Sequence, residues 1–524
     1  MTTASPAGLD QAEPLHPTRR RAALAGLLAV AAAVGVGQLV AAVVSPTSAP
    51  YLAVADAVVR ISPRWLVEFA TSTFGTADKL VLLVGLAVVL GLVAVAVGLA
   101  GQRDDTRAVY GIVALGAVAV VAVVTAPTFG PLDLVAPVAA IATGTSVYRW
   151  LHRLAGAAGG PSDPDRRTLL RASVLVGVGA VGAAGIGRLL AGAPGGGSTG
   201  SRATVTQALR AARITQPAPP IPAGAAFVAE GTPPFVTSNA DFYRIDTALR
   251  VPDLSADDWT LRIHGMVDRE IELTFADVLA RPLVERTVTL VCVSNEVGDE
   301  YISTAVFTGI DLRALLLEAG VQPGADQVLS TSTDGWTAGT PTDVLLEPDR
   351  GALLAIGMNG EALPAEHGFP ARLVVPGLYG FVSATKWVTE LELTTFEAAE
   401  GYWQPRGWAR LAPVKTQSRI DFPRRFRTVA AGRVPIAGIA WSQPDGISRV
   451  EVRVDGGPWH EAELATDVGG DTWRMWRAFV SVPPGDHVAQ VRATNSLGIT
   501  QVEEYTPPAP DGATGWHKVA FTAR

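Results

Sequence analysis

Long runs of uncharged, apolar residues dominate the first 192 residues of this 524-residue chain. A helix needs about 20 such residues to cross the hydrocarbon core of a bilayer. One such run could form a buried core helix, but several in succession favour membrane spans. The sequence therefore predicts an N-terminal five-helix transmembrane bundle over residues 1–192. Its predicted spans are Ala22–Val44, Leu80–Ala100, Ala108–Ala126, Leu134–Tyr148 and a last one from Ala172 toward Ala193.

The arginines between these runs predict the orientation of the bundle, because cytoplasmic loops carry an excess of Lys and Arg. Arginine clusters precede the first run and separate the second from the third and the fourth from the fifth. The other connections, 45–79 and 127–133, hold only Arg60, Arg64 and Lys79. An odd number of spans that starts inside would place the rest of the chain outside the cytoplasm. We expect a multi-pass protein of the cell membrane with an extracytoplasmic second half.

The predicted spans contain almost no charged side chains. The first four have no Asp, Glu, Lys, Arg or His, and the fifth has only Arg188. Ionisable residues inside a membrane usually mark ion or proton paths. The bundle is therefore typical of an anchor and not of a transporter.

Arg166 and Arg167, in the stretch DRRTLLR, directly precede the fifth run. An arginine pair before a moderately apolar, Gly/Ala-rich segment resembles a twin-arginine export signal. The same pair is explained equally well by orientation charges alone. Its position directly before the exported half favours the export interpretation, since that route carries folded proteins.

Composition excludes several functions for the second half. The formal net charge of −7 predicts no nucleic-acid partner, because such partners bind large basic faces. The chain has one cysteine, which excludes an internal disulfide and any metal site built from several cysteines. The second half also lacks a dinucleotide, haem or iron–sulfur motif.

The second half divides by composition into three parts. Residues 193–234 are rich in Gly, Ser and Pro and predict a linker. Short β-type runs with one helical stretch, Asp311–Ala319, predict a mixed α+β domain over 235–400. Over 401–524, a bridging segment is followed by regularly spaced strands with DGG, PPGD and NSLG turns, which predict a β-sandwich.

Cys292 ends the strand-like run TVTLVCV and directly precedes SNEVG. A lone cysteine in such a run is usually a packing residue. However, ERTVTLVCVSNEVG, FTGIDLRALLLEAG and GMNGEALPAEHGFPARLVVPGLYGFVSATKWVTELEL together resemble the molybdopterin-binding domain of the sulfite oxidase family. The resemblance covers about residues 239–395. The region from about 420 onward resembles the Ig-like dimerisation domain of that family.

The resemblance implies an oxidoreductase with a molybdenum–molybdopterin cofactor (Moco). Cys292 would be the metal ligand, and a soft thiolate suits molybdenum. For Arg372 and Lys386 the alternative interpretation is a surface ion pair, which stabilises little. The residues that match cofactor-binding positions of the family, besides Cys292, are Asn239, Tyr243, Arg244, Ser332 (or Thr333), His367, Arg372, Ser383 and Lys386.

The substrate side departs from the pattern of the sulfite-oxidising members. Asn295 fits that pattern, but Glu296 and Val297 stand where a basic pair is expected. The segment Asp334–Gly339 contains Trp336 where a tyrosine is expected. Glu296 would repel an anion such as sulfite, so we expect a neutral polar substrate, for example a sulfoxide or N-oxide. The residues expected on the catalytic side are Cys292, Asn295, Glu296 and Trp336.

The sequence as a whole predicts a membrane-anchored, extracytoplasmic molybdenum-cofactor oxidoreductase that performs oxo transfer or a related two-electron step on a small molecule. Electrons would pass to or from a separate carrier, a cytochrome or a quinone-linked protein. The family's C-terminal domain also allows a homodimer. The alternative comes from another class: a cofactor-free surface binding or adhesion module that uses the Ig-like domain.

Overall fold

The chain folds into two compact units, Met1–Ala193 and Pro194–Arg524. Residues 193–197, the start of the predicted linker, lie outside the described residues. The computed structural model describes residues 16–45, 48–74, 77–127, 129–157, 163–191 and 198–524.

The first unit is helical, as its Ala-, Leu- and Val-rich runs predict. Two helices, α2 and α3, fill the connection between the first two runs, where none was predicted. They have only 12 and 11 residues, fewer than the about 20 that a membrane span needs, so a search for long apolar runs does not find them. The helices are α1 (Arg19–Val44), α2 (Pro50–Ile61), α3 (Arg64–Phe74), α4 (Asp78–Ala100), α5 (Asp105–Val124), α6 (Val135–Ala157) and α7 (Asp163–Ala191).

Four helical segments of the described chain are long and apolar enough to cross a bilayer. The predicted fourth span, Leu134–Tyr148, falls in α6 except for its first residue, and α6 does not reach that combination of length and hydropathy. Its Thr, Gly and Ser residues, together with Arg149 and His152, lower its hydropathy. The four segments that qualify are Arg19–Val44, Asp78–Ala100, Asp105–Val124 and Arg167–Gly187.

Glycines let the helices of the first unit approach closely. A Cβ on Gly98 of α4 would collide with the carbonyl oxygen of Ala22 in α1, and a Cβ on Gly26 would collide with that of Ala94. Small residues at such crossings are typical of membrane helix pairs. The outer surface is apolar: Leu92 of α4, for example, is 66% exposed.

The second unit begins with helix and strand where a linker was predicted. In α8 (Ser198–Ala211), Val205 and Leu209 are buried one turn apart. Arg202 Nε donates to the carbonyl oxygen of Leu363 at 2.8 Å. The Gly/Pro content of 193–234 conceals this amphipathic spacing, so the linker prediction is wrong for residues 198–216.

The middle of the second unit is α+β, with two sheets on a common apolar core. One sheet has the order β1-β4-β5-β8-β10, with β9 paired to β8, and the other has the order β3-β2-β11-β6-β7. The helices are α9 (Phe275–Ala280), α10 (Leu312–Ala319) and α11 (Thr342–Leu346). The strands are β1 (Ile214–Gln216), β2 (Thr260–Gly265), β3 (Ile271–Thr274), β4 (Leu283–Val291), β5 (Ile302–Asp311), β6 (Gln327–Ser332), β7 (Thr337–Pro341), β8 (Leu353–Met358), β9 (Glu361–Ala362), β10 (Arg372–Val374) and β11 (Val388–Thr394).

The C-terminal part consists of two further sheets, β12-β14-β18-β17 and β13-β20-β19-β15-β16, which share one apolar core. Ile439, Trp441, Trp473 and Met475 belong instead to the core of the α+β part. The α+β part and the C-terminal part therefore share apolar core contacts, made by side chains in and next to the sheet β12-β14-β18-β17. The strands are β12 (Gln417–Phe422), β13 (Thr428–Val429), β14 (Gly432–Trp441), β15 (Ile447–Val454), β16 (His460–Glu461), β17 (Glu463–Leu464), β18 (Arg474–Val482), β19 (Gly485–Asn495) and β20 (His517–Ala523).

Candidate active site

Cys292 lies directly after β4, at the point where the strand turns into a loop. Its N–H donates to the carbonyl oxygen of Tyr301, and its own carbonyl accepts from Asn295 N–H, both at 3.0 Å. The side chain is half-buried. Desolvation raises the pKa of the thiol, whereas hydrogen bonds with Ser294 and the charge of Lys386 lower it. Because only the thiolate is a metal ligand, the thiolate form needs a further positive partner.

Arg372, the first residue of β10, is a buried cation without an anion. Its guanidinium donates to the carbonyl oxygens of Leu373 at 3.3 Å, His367 at 3.3 Å and Ala384 at 3.5 Å. In the described part of the chain, no carboxylate lies within ion-pair distance of it. Burial lowers its pKa to about 10, so the group stays charged at neutral pH. The surface ion-pair interpretation is wrong here, and the charge calls for an anionic ligand.

Lys386 is also buried, but it has a carboxylate partner. Its Nζ donates to Asp246 Oδ2 at 2.8 Å and to the carbonyl oxygen of Glu366 at 3.1 Å. The same Asp246 oxygen accepts from Arg244 Nε at 3.0 Å. Burial lowers the pKa of Lys386 to about 8. Sequence reasoning missed Asp246, although it lies two residues after Arg244 in the segment that resembles the family.

His367 and Tyr243 are neutral groups beside these cations. The His367 ring packs edge-on against Phe242, with ring centres 5.3 Å apart. Burial and the charges of Arg372 and Lys386 lower its pKa to about 4. Burial and the charge of Cys292 raise the pKa of Tyr243, so its phenol stays protonated. The structure thus brings Cys292, Tyr243, His367, Arg372 and Lys386 within electrostatic reach of one another.

The hydroxyl side chains near the site differ in whether they already have a hydrogen-bond partner. Ser332 Oγ is buried and has no hydrogen-bond partner in the described chain. Thr333 Oγ1 donates to the carbonyl oxygen of Trp387 at 3.1 Å, and Ser383 Oγ donates to that of Tyr379 at 3.1 Å. Of the two alternatives weighed from the sequence, Ser332 is therefore the hydroxyl that a ligand can use.

Asn239 is held by main-chain and side-chain amides. Its Nδ2 donates to the carbonyl oxygen of Met358 at 3.4 Å, and its Oδ1 accepts from Asn359 Nδ2 at 2.9 Å. Its backbone also bonds to the His367 imidazole. Asn239 thereby fixes His367 within the site.

The residues expected on the substrate side have separate surroundings. Asn295 Oδ1 accepts from Tyr301 N–H at 2.8 Å and thereby closes the loop after Cys292. Trp336 is half-buried, and no described contact joins its indole to Cys292. Glu296 is exposed, and its Oε2 accepts from the Tyr505 hydroxyl at 2.9 Å. Tyr505 comes from the C-terminal part, 209 residues later, so no local sequence signal could have found it.

These residues fit a phosphate-bearing pterin cofactor. The buried, unpaired Arg372 guanidinium suits an anion, the orphaned Ser332 hydroxyl suits a polar ligand atom, and Cys292 offers one soft ligand. No group of three or more His, Cys, Asp or Glu side chains in the described chain could hold a metal ion alone. A metal at Cys292 therefore needs further ligands from a cofactor.

A family model described as the oxidoreductase molybdopterin binding domain matches residues 248–403. The mitochondrial sulfite oxidase of Macaca fascicularis is 32% identical over 299 residues, which cover 48% of this chain and 54% of that protein. The human enzyme is 31% identical over the same shares of the two chains. The chain thus spans about half the length of these curated relatives.

An uncharacterized oxidoreductase of Bacillus subtilis, YuiH, is 36% identical over 150 residues, which cover 29% of this chain and 72% of that protein. Among solved structures, the sulfane dehydrogenase SoxCD from Paracoccus pantotrophus is similar, with 24% sequence identity and a TM-score of 0.48. That match covers 56% of this chain and 84% of the solved chain.

Proposed function

Because the chain belongs to the sulfite oxidase family of molybdopterin-dependent oxidoreductases, we propose that it is a membrane-anchored, extracytoplasmic oxo-transfer enzyme for a neutral polar substrate. When bound, the molybdenum cofactor of the family exchanges an oxygen atom and two electrons with the substrate. Electrons then pass to or from a separate carrier, a cytochrome or a quinone-linked protein. The C-terminal sheets are the Ig-like domain, through which two copies would pair.

In this proposal the residues of the site have distinct tasks. Cys292 binds molybdenum through its thiolate, and Arg372 binds the phosphate of the pterin. Ser332 donates a hydrogen bond to the cofactor from its buried position. Tyr243 and His367 stay neutral and line the site with partly apolar surface, which keeps water away from the metal.

The choice of a neutral substrate depends on Glu296, four residues after the metal ligand. An arginine paired with Glu296 would have neutralised its charge and allowed an anion to bind. The partner instead is a neutral phenol, Tyr505, and no described Lys or Arg lies within ion-pair distance of Glu296. A neutral phenol supplies no positive charge to offset the carboxylate, so an approaching anion is repelled.

Steady-state assays on the purified full chain test this choice with sulfite and with a panel of neutral sulfoxides and N-oxides. We expect turnover of neutral oxides and a sulfite kcat/KM well below about 10⁴ M⁻¹s⁻¹. Glu296→Gln should raise the sulfite kcat/KM about tenfold, while Glu300→Gln in the same exposed loop should not change it. Sulfite turnover by the wild type at or above that rate would overturn the substrate proposal.

The membrane part of the proposal requires an odd number of crossings, so α6 must cross with the four qualifying helices. Its packing supports this: a Cβ on Gly144 would meet Ala33 of α1 and Ile112 of α5, and Gly37 of α1 faces Ala140. Helix α6 therefore lies along α1 within the bundle.

Molybdenum content of the purified protein separates the enzyme from the cofactor-free binding module.

A further inference from the structure

Residues of the C-terminal part form hydrogen bonds with β4, the strand that precedes Cys292. Strand β1 pairs with β4 only at Leu283 and Val284. Beyond that point, the edge of β4 opposite β5 would be open next to the cysteine. Open strand edges leave N–H and C=O groups without partners, and at Thr289 the C-terminal part supplies these partners.

Thr289, three residues before Cys292, uses its backbone and its side chain in this contact. Its N–H donates to the carbonyl oxygen of Asp471 at 3.0 Å. Its carbonyl accepts from Gln443 Nε2 at 3.2 Å, and its hydroxyl accepts from Trp473 N–H at 2.8 Å. The hydroxyl also shares a 2.5 Å hydrogen bond with Thr304 of β5. Thr289 is 3% exposed, so each of these bonds is shielded from water.

The loop after Cys292 is held from the same side. Gly298 has φ +90°, and a Cβ there would collide with the His517 imidazole. Arg419 Nη1 donates to the carbonyl oxygen of Asp299 at 2.7 Å. The Tyr505–Glu296 bond adds a third attachment. The C-terminal part therefore contacts the chain both before and after the cysteine.

We propose that the C-terminal part sets the position of the Cys292 sulfur, with Thr289 as the main positioning residue. The inference rests on the proposed function, since it assumes that Cys292 binds molybdenum. A metal ligand works when its supporting contacts hold it within a fraction of an ångström. The C-terminal part supplies those contacts in addition to any role in pairing two copies.

The test compares Thr289→Val and Gln443→Met with two controls in the full chain. Thr289→Ser keeps the hydroxyl. Thr287→Val makes the same change two residues earlier on β4, where the hydroxyl is buried and has no partner in the described chain. Hydrogen exchange over residues 290–298 is measured with and without molybdenum, and the thiolate-to-molybdenum absorption band is recorded on loaded protein.

We expect Thr289→Val and Gln443→Met to accelerate exchange over 290–298 about tenfold, because each leaves a buried partner without its hydrogen bond. The thiolate band should shift in both. Thr289→Ser and Thr287→Val should match the wild type in both measurements. Unchanged exchange in Thr289→Val, or an equal change in Thr287→Val, would overturn the inference. Gln443→Met decides the matter if Thr289→Val does not fold.

Failure of the proposed function gives a separate signature. Wild-type protein without molybdenum would refute the proposed enzymatic function. Hydrogen exchange on that same protein would still test whether the C-terminal part stabilises β4. A loaded wild type with normal turnover, together with an unaltered thiolate band in both variants, would refute the positioning role alone.

Discussion

In the helical unit, close contacts form where a side chain is missing, as at Gly26 and Gly98, and large apolar side chains such as Leu92 face outward. In the second unit, polar groups are buried: Thr289 makes four hydrogen bonds, whereas Arg372 contacts only carbonyl oxygens and has no carboxylate within ion-pair distance in the described chain. Burying a polar group costs free energy unless it is satisfied. A buried charge without a counterion therefore points to an ionic ligand, whereas small-residue packing shows only that helices lie close together.

The largest expected effect tests whether chemistry resides only in the second unit. Cys292→Ser should abolish molybdenum–thiolate ligation and turnover while the protein stays folded, with a stability loss of about 1 kcal/mol. Metal analysis, the visible absorption spectrum and activity measure this. Full redox activity in the variant would mean that Cys292 is a packing residue and not a metal ligand. The second unit would then lose its proposed catalytic role for this cysteine.

Topology provides an all-or-none test of the anchor. A reporter active only outside the cytoplasm should be active when fused after Gly200 and silent when fused after Arg107, because the arginine-rich loops stay inside. The opposite pattern would show that the orientation is inverted.

Replacement of Arg166 and Arg167 by lysine should trap the folded second unit inside the cytoplasm. Normal export of that variant would mean that the arginine pair only sets the orientation of the helices.

A third prediction concerns acid. Burial is the main cause that lowers the pKa of both His367 and His517 from 6.5 to about 4. The unfolded chain binds these protons at a higher pH than the folded chain does, so stability is complete above about pH 6.5 and falls toward pH 4. Each histidine contributes up to about 3 kcal/mol. Thermal unfolding of the second unit, followed by tryptophan fluorescence, should show this loss.

His517→Gln should lose up to about 3 kcal/mol less stability than the wild type between pH 6.5 and 4, since one of the two histidines is removed. Burial raises the pKa of Asp471 to about 6, which changes stability in the opposite direction over this pH range, so the comparison of the two profiles is the test. Equal pH profiles of the wild type and His517→Gln would contradict the assignment of His517 as a neutral buried group.

The smallest expected effect tests the packing of the anchor. Gly98→Ala should destabilise the helical unit by about 1–3 kcal/mol, because the new methyl group meets the Ala22 carbonyl. Gly85→Ala, on the same helix, is the control: nothing lies within 4 Å of a Cβ there. Unfolding in detergent measures both. Equal stability of the two variants would mean that α1 and α4 do not touch at Gly98.

Features encoded locally were predictable, and features formed by distant contacts were not. The helix α10 matches the predicted stretch Asp311–Ala319 almost residue for residue, because Asp311 caps it and its apolar residues repeat at helical spacing. The helix α8 was missed because neighbouring Gly and Pro residues outweighed two buried side chains. The partners of the cysteine segment are harder still: Asp471 and Tyr505 are about 200 residues away in sequence, and only folding shows where they lie.

The candidate site follows the same division. The motif that surrounds Arg372 could be recognised, but not its lack of an anion, which depends on every element packed around it. The same limit applied to Glu296, whose partner could have been an arginine and is instead Tyr505. The residues of the site therefore stay a prediction from sequence, whereas their charge balance depends on contacts that only the structure describes.

The unpaired Arg372 has a consequence for maturation. An anion that binds this guanidinium binds only the folded chain, so mass action shifts the folding equilibrium toward the loaded form, by about 4 kcal/mol when the free ligand is 1,000-fold above its Kd. The unloaded chain keeps a desolvated positive charge and unfolds more readily. Under the proposed export route, proteolysis in the cytoplasm would remove unloaded copies first, and cofactor insertion would decide which molecules survive to be exported.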